Sequence, residues 1–264
     1  MSPLPLAGRV AVITGVSRRQ GIGYAIASRL AAMGASLFVQ HYRPHDADQP
    51  WGADSIDDVV VELRSALVAG SSLVDTSLDL GDADGADVLI DAARSAFGHL
   101  DILVCNHAQS GSDGSLTQLT AEMLDRHWRV NARSTLLATR AFAKQYDGHE
   151  GGRVVWMTSG QGQGPMNDEI AYAMSKAALA GLTASVADDL IDRGIVLNTV
   201  NPGPVNTGYL AEMTADNEAI RKQFPSRRFG EPDDPARLIA WLVSDEGRWV
   251  VGQVLNSEGG FRRW

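Results

Sequence analysis

One cysteine, Cys105, in a chain of 264 residues excludes an internal disulfide and any zinc cluster built on thiolates. His41, His45, His99, His127 and His149 show no spacing that suggests coordination, so no metal is expected. No uninterrupted apolar segment reaches the roughly 20 residues that cross a bilayer, and no membrane partner is expected. The N-terminus lacks the basic region and apolar block of a secretory signal, so the expected location is cytoplasmic. Basic residues are the minority charge. Lysine plus arginine number 23 against 32 acidic residues, a formal net charge of −9, which argues against nucleic-acid backbone as a partner. What the chain does have is a 44% apolar fraction and 27 glycines, enough to bury a large core. No repeat, low-complexity tail or linker divides it, and residues 1–264 are read as one domain.

The most informative stretch is Tyr172-Ala-Met-Ser-Lys176, with Ser159 thirteen residues upstream. A tyrosine and a lysine four apart share one helical face. The fixed positive charge is expected to lower the tyrosine pKa toward neutrality, as a general acid/base at ordinary pH requires.

A second signal lies at the N-terminus. Arg9 to Thr14 is a short β-branched apolar run and reads as a strand. Gly15-Val-Ser-Arg-Arg-Gln-Gly21-Ile-Gly23 follows, and Tyr24 to Met33 has helical apolar spacing, closed by Gly34. Strand, glycine turn and helix are the context of a dinucleotide fingerprint, in which glycines let backbone approach the pyrophosphate at a helix N-terminus.

Along the chain, further strands are expected at Ser36–Gln40, Ser72–Leu78, Ile102–Cys105, Arg153–Thr158, Val196–Val200 and Gln253–Asn256. Helices are expected at Ile56–Val68, Ala83–Phe97, Ala171–Ile191 and Asp233–Ser244, with one long or two abutting helices over Leu119–Gln145. Tyr42 to Ser55 reads as a Pro/Asp/His-rich loop holding Trp51. Strands separated by helices of this length predict an α/β Rossmann-type sandwich with a mostly parallel, doubly wound sheet.

With these residues placed, the sequence resembles the short-chain dehydrogenase/reductase family from about Leu6 to Gly260. The family's TGxxxGxG motif is similar to Thr14-Gly15-Val-Ser-Arg-Arg-Gln-Gly21-Ile-Gly23, two residues longer here. Its NNAG motif falls on Cys105-Asn106-His107-Ala108, and its PGxxxT stretch is Pro202-Gly203-Pro-Val-Asn-Thr207. The resemblance implies a catalytic set of Asn131, Ser159, Tyr172 and Lys176. Ser159 and Tyr172 would act on the carbonyl oxygen, Lys176 would hold the cofactor ribose, and Asn131 would relay protons through an ordered water. It further implies cofactor contacts at Gly15, Ser17, Arg18, Arg19, Gly21, Ile22 and Gly23, and at His41 and Arg43 after the second strand. Asp79 and Leu80, then Asn106, His107 and Ala108, then Tyr172 and Lys176, and finally Pro202, Gly203, Val205 and Thr207 complete the set. His107 titrates near neutrality in water, but the Tyr/Lys pair already fills the acid/base role.

Cofactor choice turns on the end of the second strand, where a carboxylate would select NAD. His41 stands there. Arg18 and Arg19 in the enlarged glycine loop suit a phosphate, so NADP(H) is expected ahead of NAD. The expected reaction is hydride transfer between nicotinamide and a carbonyl or alcohol. The substrate is left open between a 3-oxoacyl thioester, carrier-bound in the 3-oxoacyl-carrier-protein reductase branch, and small ketones, quinones or sugars. A non-catalytic dinucleotide sensor or scaffold also fits the fold. A variable loop over 205–228, with Tyr209, Leu210, Met213, Phe224 and the pair Arg227-Arg228, is expected to shape the substrate site. The family resemblance implies a homodimer or homotetramer. The tetramer is preferred, through Leu119–Gln145, Ala171–Ile191 and the tail to Trp264.

Overall fold

A computed structural model describes residues 4–210 and 215–262. Its centre is made by runs of β-branched and apolar residues: β1 (Val10–Thr14), β4 (Ile102–Cys105), β5 (Gly152–Met157) and β6 (Ile195–Asn201), buried at every position. Strands covered on both faces cannot alternate apolar and polar, so they read as continuous runs. The edge strands β3 (Leu73–Ser77) and β7 (Val254–Asn256) do carry exposed positions. With β2 (Ser36–His41) they form one seven-stranded sheet in the order β3-β2-β1-β4-β5-β6-β7. Every pairing is parallel.

Successive residues of one strand enter opposite cores. Ala11 and Ile13 pack with α1 (Ile22–Ala32), α3 (Ile56–Ser65) and α9 (Asp233–Val243) through Ile26, Leu30, Val59, Leu63, Ile239 and Val243. Val10 and Val12 pack on the other face with α4 (Gly85–Phe97), α6 (Ser134–Gln145) and α7 (Ile170–Ile191), through Leu89, Ile90, Phe142, Leu179 and Leu190. This is the expected three-layer, doubly wound architecture. The strand order reverses at β1, which pairs with both β2 and β4; in sheets of this kind the ligand crevice lies beyond the C-terminal strand ends at that point.

Two local expectations change, and between them the open choice over Leu119–Gln145 resolves to two abutting helices. The Tyr42–Ser55 segment is not all loop: Arg43–Ala47 forms a short helix, α2, with Pro44 in its first turn, where a missing N–H costs nothing. Leu119–Gln145 divides into α5 (Ala121–His127), a π-helical turn at Trp128–Arg133, and α6. A further helix, α8 (Ala215–Lys222), lies within the expected loop over 205–228. Boundaries elsewhere move by one to three residues, and β2 reaches His41. The 22 residues of α7 are long and apolar enough to cross a membrane by length and composition alone. Here the helix lies on the sheet, burying Leu179, Ala187 and Leu190 in the core.

Candidate active site

The crevice floor is built on Thr14, the last residue of β1. Its hydroxyl accepts from the backbone N–H groups of Asn106 (3.0 Å) and His107 (3.2 Å), joining the ends of β1 and β4. The His107 ring lies behind it, with Nδ1 2.7 Å from the Thr14 hydroxyl and Nε2 2.9 Å from the Val130 carbonyl and 2.7 Å from the Ser134 hydroxyl. A carbonyl only accepts, so Nε2 carries the ring proton and Nδ1 accepts from Thr14. Burial, reinforced by the Lys176 charge, pushes the His107 pKa down to about 3. The ring is a neutral internal strut between Thr14, Val130 and Ser134 that does not titrate near pH 7.

The glycine loop fits against that floor. The Asn106 side chain donates to the carbonyls of Thr14 (3.1 Å) and Gly15 (3.2 Å). Gly15 has φ +72°, and a β-carbon there would meet the His107 α-carbon at 2.8 Å; one on Gly23 would meet the Gly15 carbonyl at 2.4 Å. Only glycine permits these approaches. Gln40, which sequence reasoning missed, is buried and holds the loop from the side: its amide oxygen accepts from Gly15 N–H (2.9 Å) and its nitrogen donates to Leu78 O (2.7 Å). α1 begins at Gly21 and Ile22 with no side-chain cap and no acidic residue in its first turn. Such a helix start offers free N–H groups to an anion.

The adenosine end differs from expectation. Arg18 does not stand free: it pairs with Asp46 of α2 (3.2 Å) and lies over the Trp51 ring, 5.4 Å from its centroid. Ser17 donates to the same carboxylate. Arg19 points outward to Asp54 and Glu62. His41 Nε2 is 3.3 Å from Asp75. Burial and the nearby Asp79 carboxylate raise the Tyr42 pKa, and that carboxylate accepts from Gly81 N–H. Arg43 is exposed and has no ion pair among the described residues. Leu80 and Val205 are buried. His41 Nδ1 and Trp51 Nε1 are shielded from solvent without a protein partner among the described residues. With the glycine cradle and the uncapped α1, these polar groups fit a dinucleotide.

At the far side, Ser159 leaves the end of β5 in extended backbone (φ −145°) ahead of a 3-10 turn. Its side chain lies near enough to that of Tyr172 to lower the tyrosine's pKa, and Lys176 stands one turn on, its Nζ 5.7 Å from the Tyr172 ring centroid. The lysine is buried and donates to Met157 O (2.9 Å). The expected fall in the tyrosine pKa is not found. Burial pushes Tyr172 up to about 12 and outweighs the lowering by Ser159, with Glu169 adding to the rise; burial brings Lys176 down to about 8. For both groups the loss of water on burial is the largest effect.

Asn131 sits in the π-helical turn, fully buried. Its oxygen accepts from Gln109 N–H (2.6 Å), and its amide donates to Gln109 O (3.1 Å) and the Ser175 hydroxyl (2.9 Å). Both amide protons therefore tie the loop after β4 to α7. Asp113, a second residue that sequence reasoning missed, accepts from the N–H groups of Ala171 and Tyr172. Neither Gln40 nor Asp113 belongs to a spaced motif; only proximity in the fold reveals them.

The loop after β6 turns at Pro202-Gly203, where Gly203 N–H donates to Asn201 Oδ1 (3.0 Å). Thr207 is half-buried and Ala108 lies beside the floor, half-buried. Tyr209 leans on Trp51, with ring centroids 6.1 Å apart. Phe224 is buried and packs on Phe261, so the tail touches its own loop. Met213 and Trp264 lie outside the described residues. The pair Arg227-Arg228 is engaged: Arg228 binds Asp234 through two nitrogens, and Arg227 donates to Lys222 O.

Comparison with known proteins agrees with this geometry. A sequence family described as Enoyl-(Acyl carrier protein) reductase matches residues 15–262. The uncharacterized oxidoreductase YjdA of Bacillus subtilis is 37% identical over 257 residues, 97% of each chain. A short-chain dehydrogenase/reductase from Serratia marcescens superposes with a TM-score of 0.84 at 33% identity, covering 97% of this chain and 99% of that one. A short chain dehydrogenase from Burkholderia cenocepacia, solved in complex with NADP, gives a TM-score of 0.85 at 35% identity, covering 97% and 98%.

Proposed function

Because this chain belongs to the short-chain dehydrogenase/reductase family and is an oxidoreductase, we propose that it is an NADP(H)-dependent reductase of a small, free carbonyl compound. The observation that carries this reading is Tyr172 with buried Lys176 one turn on along α7 and Ser159 beside the phenol, at the same C-terminal end of the parallel sheet as the glycine cradle. Gly15, Gly21, Ile22 and Gly23 would receive the pyrophosphate, Asp79 the adenine, and Lys176 the nicotinamide ribose. When bound, the dihydronicotinamide supplies a hydride to the carbonyl carbon.

The rest follows from the chain's own groups. Tyr172 donates its phenolic proton to the oxygen as negative charge grows there, and Ser159 donates a hydrogen bond to the same atom. A tyrosine raised by burial is protonated at ordinary pH, the form an acid needs, which supports its reading as the proton donor in reduction. The nearby lysine stabilises the phenolate left after transfer.

Two observations select among substrates and cofactors. The Arg227 and Arg228 side chains are occupied by internal partners, so this pair is not left free for an acidic carrier. A free small ketone or aldehyde is therefore proposed ahead of a carrier-bound 3-oxoacyl thioester. Arg43 is the guanidinium left open at the strand end that lacks a carboxylate, and it is proposed to receive the 2′-phosphate.

The test is oxidation of NADPH with a panel of carbonyl compounds. Tyr172→Phe should keep cofactor affinity and lose at least about 100-fold in turnover. Arg43→Ala should reduce the preference for NADPH over NADH in kcat/KM. Near-normal turnover by Tyr172→Phe would remove the tyrosine from its role, and equal use of NADH by the unaltered protein would overturn the cofactor assignment.

A further inference from the structure

α7 carries Tyr172 in its first turn, so whatever fixes that turn fixes the phenol. The helix's own N-cap residue, Glu169, makes no side-chain cap. The cap comes instead from the loop after β4, across the crevice. Gly114 O accepts from Ile170 N–H (3.3 Å), Asp113 Oδ1 from Ala171 N–H (3.0 Å), and Asp113 Oδ2 from the N–H of Tyr172 itself (2.7 Å). The first three N–H groups of α7 are thus all received by two adjacent residues more than fifty positions earlier in the chain. Asp113 Oδ1 also accepts from Gly114 N–H (2.8 Å). The carboxylate side chain is only 4% exposed.

His127, the last residue of α5, closes the cluster from behind. Its side chain is fully buried, and its ring meets Tyr172 edge-on, with centroids 6.3 Å apart at 84°. Nδ1 is 2.9 Å from Met123 O and donates to that carbonyl. Nε2 faces Asp113 Oδ2 at 3.8 Å and has no hydrogen-bond partner among the described residues.

The same loop is anchored a second time. Asn131 clamps Gln109 through both its N–H and its C=O, and bonds Ser175. The Ser175 hydroxyl in turn donates to Tyr172 O (2.7 Å). The loop and the first turns of α7 are held to each other at both ends, four residues apart on the loop side. A carboxylate accepting N–H bonds at a helix start gains from both the hydrogen bonds and the helix dipole.

We propose that Asp113 is the positioning residue for Tyr172, capping α7 from across the crevice so that the loop after β4 and the proton donor keep one fixed geometry. This inference rests on the reading of Tyr172 as the acid. A displacement of about 1 Å in a reacting group can cost on the order of 100-fold in rate. Asp113→Ala, which removes both acceptors, should therefore lower kcat per folded molecule by about 10- to 100-fold. The KM for NADPH should stay within about twofold, since no cofactor-binding group is altered. Asp113→Asn keeps the shape and one acceptor oxygen, and should restore part of the lost kcat; it also serves as the deciding variant if Asp113→Ala does not fold.

The double variant separates positioning from plain support. In a Tyr172→Phe background, Asp113→Asn should produce little further loss of residual turnover, because it acts through the missing phenol. A full additional loss in that background would overturn the proposal, as would an unchanged kcat in both Asp113 variants with only the melting temperature lowered. If Tyr172→Phe itself keeps near-normal turnover, the reading of Tyr172 fails first. If Tyr172→Phe is inactive while the Asp113 variants are normal, only the present inference fails.

Discussion

Burial sets the protonation of the ionisable groups nearest the crevice: it raises Tyr172, lowers Lys176 and lowers His107 furthest. For His107 this has a consequence for stability. Its folded pKa of about 3 lies below the roughly 6.5 of an unfolded histidine. Between those values the unfolded chain binds a proton that the folded chain excludes, so stability falls as pH drops from about 6.5 to about 3. Urea denaturation across that window should show a shallower loss for His107→Asn than for the unaltered chain. Parallel curves would mean that His107 is protonated in the folded state at a far higher pH than its burial implies. Tyr172, Lys176 and Ser159 were legible in the sequence because their chemistry depends on spacing within one helix and one strand end. The direction of the Tyr172 shift was not, because a charge four residues away is visible in a sequence and the dielectric around it is not. His107 shows the same limit: its residue type suggests titration, and its surroundings abolish it.

At the scale of elements, the enlarged glycine loop and the segment after β2 form one unit. α2 lends Asp46 to Ser17 and Arg18, and Trp51 lies under Arg18 and against Gly208 and Tyr209. The two extra residues in the loop are therefore matched by a strap that reaches the loop after β6. The Arg18 and Asp46 side chains are only 14% and 12% exposed. Removing one partner of such a pair leaves an uncompensated charge and costs about 3–5 kcal/mol in buried settings. Asp46→Ala should lose stability toward the lower end of that range in urea. Arg18→Leu combined with Asp46→Ala should lose less than Asp46→Ala alone. A double variant weaker than either single one would show that the two side chains stabilise the strap independently. Sequence reading took Arg18 and Arg19 as phosphate ligands, since arginines in a glycine loop suggest an anion. Their intended partners, Asp46, Asp54 and Glu62, are acidic residues 28 to 43 positions downstream, and no local pattern links them.

The whole molecule leaves a strip of small residues open on α7. Ala177, Gly181, Leu182 and Ala184 are exposed while Leu179, Thr183 and Ala187 are buried. A β-carbon on Gly181 meets nothing within 4 Å, so a side chain fits there within one chain. A homotetramer or homodimer using this strip remains the expected assembly. Sedimentation of the unaltered protein at micromolar concentration should give a species larger than 28.2 kDa, and Gly181→Arg should shift it toward 28.2 kDa without lowering the melting temperature. A 28.2 kDa species alone in the unaltered protein would defeat the expectation. By itself the sequence determined the layered α/β fold, the strand–glycine–helix succession and the placing of Tyr172 and Lys176 one turn apart on one helix. Each of these is written in periodicity or spacing within a few turns of chain, where covalent geometry limits what neighbours can do. Only the tertiary structure decided which arginines were already paired, that His107 is neutral, that Gln40 braces the glycine loop, and that Asp113 caps the helix bearing Tyr172. Those facts depend on which distant segments share a site and how much water is excluded there, and both are set by packing of the finished fold.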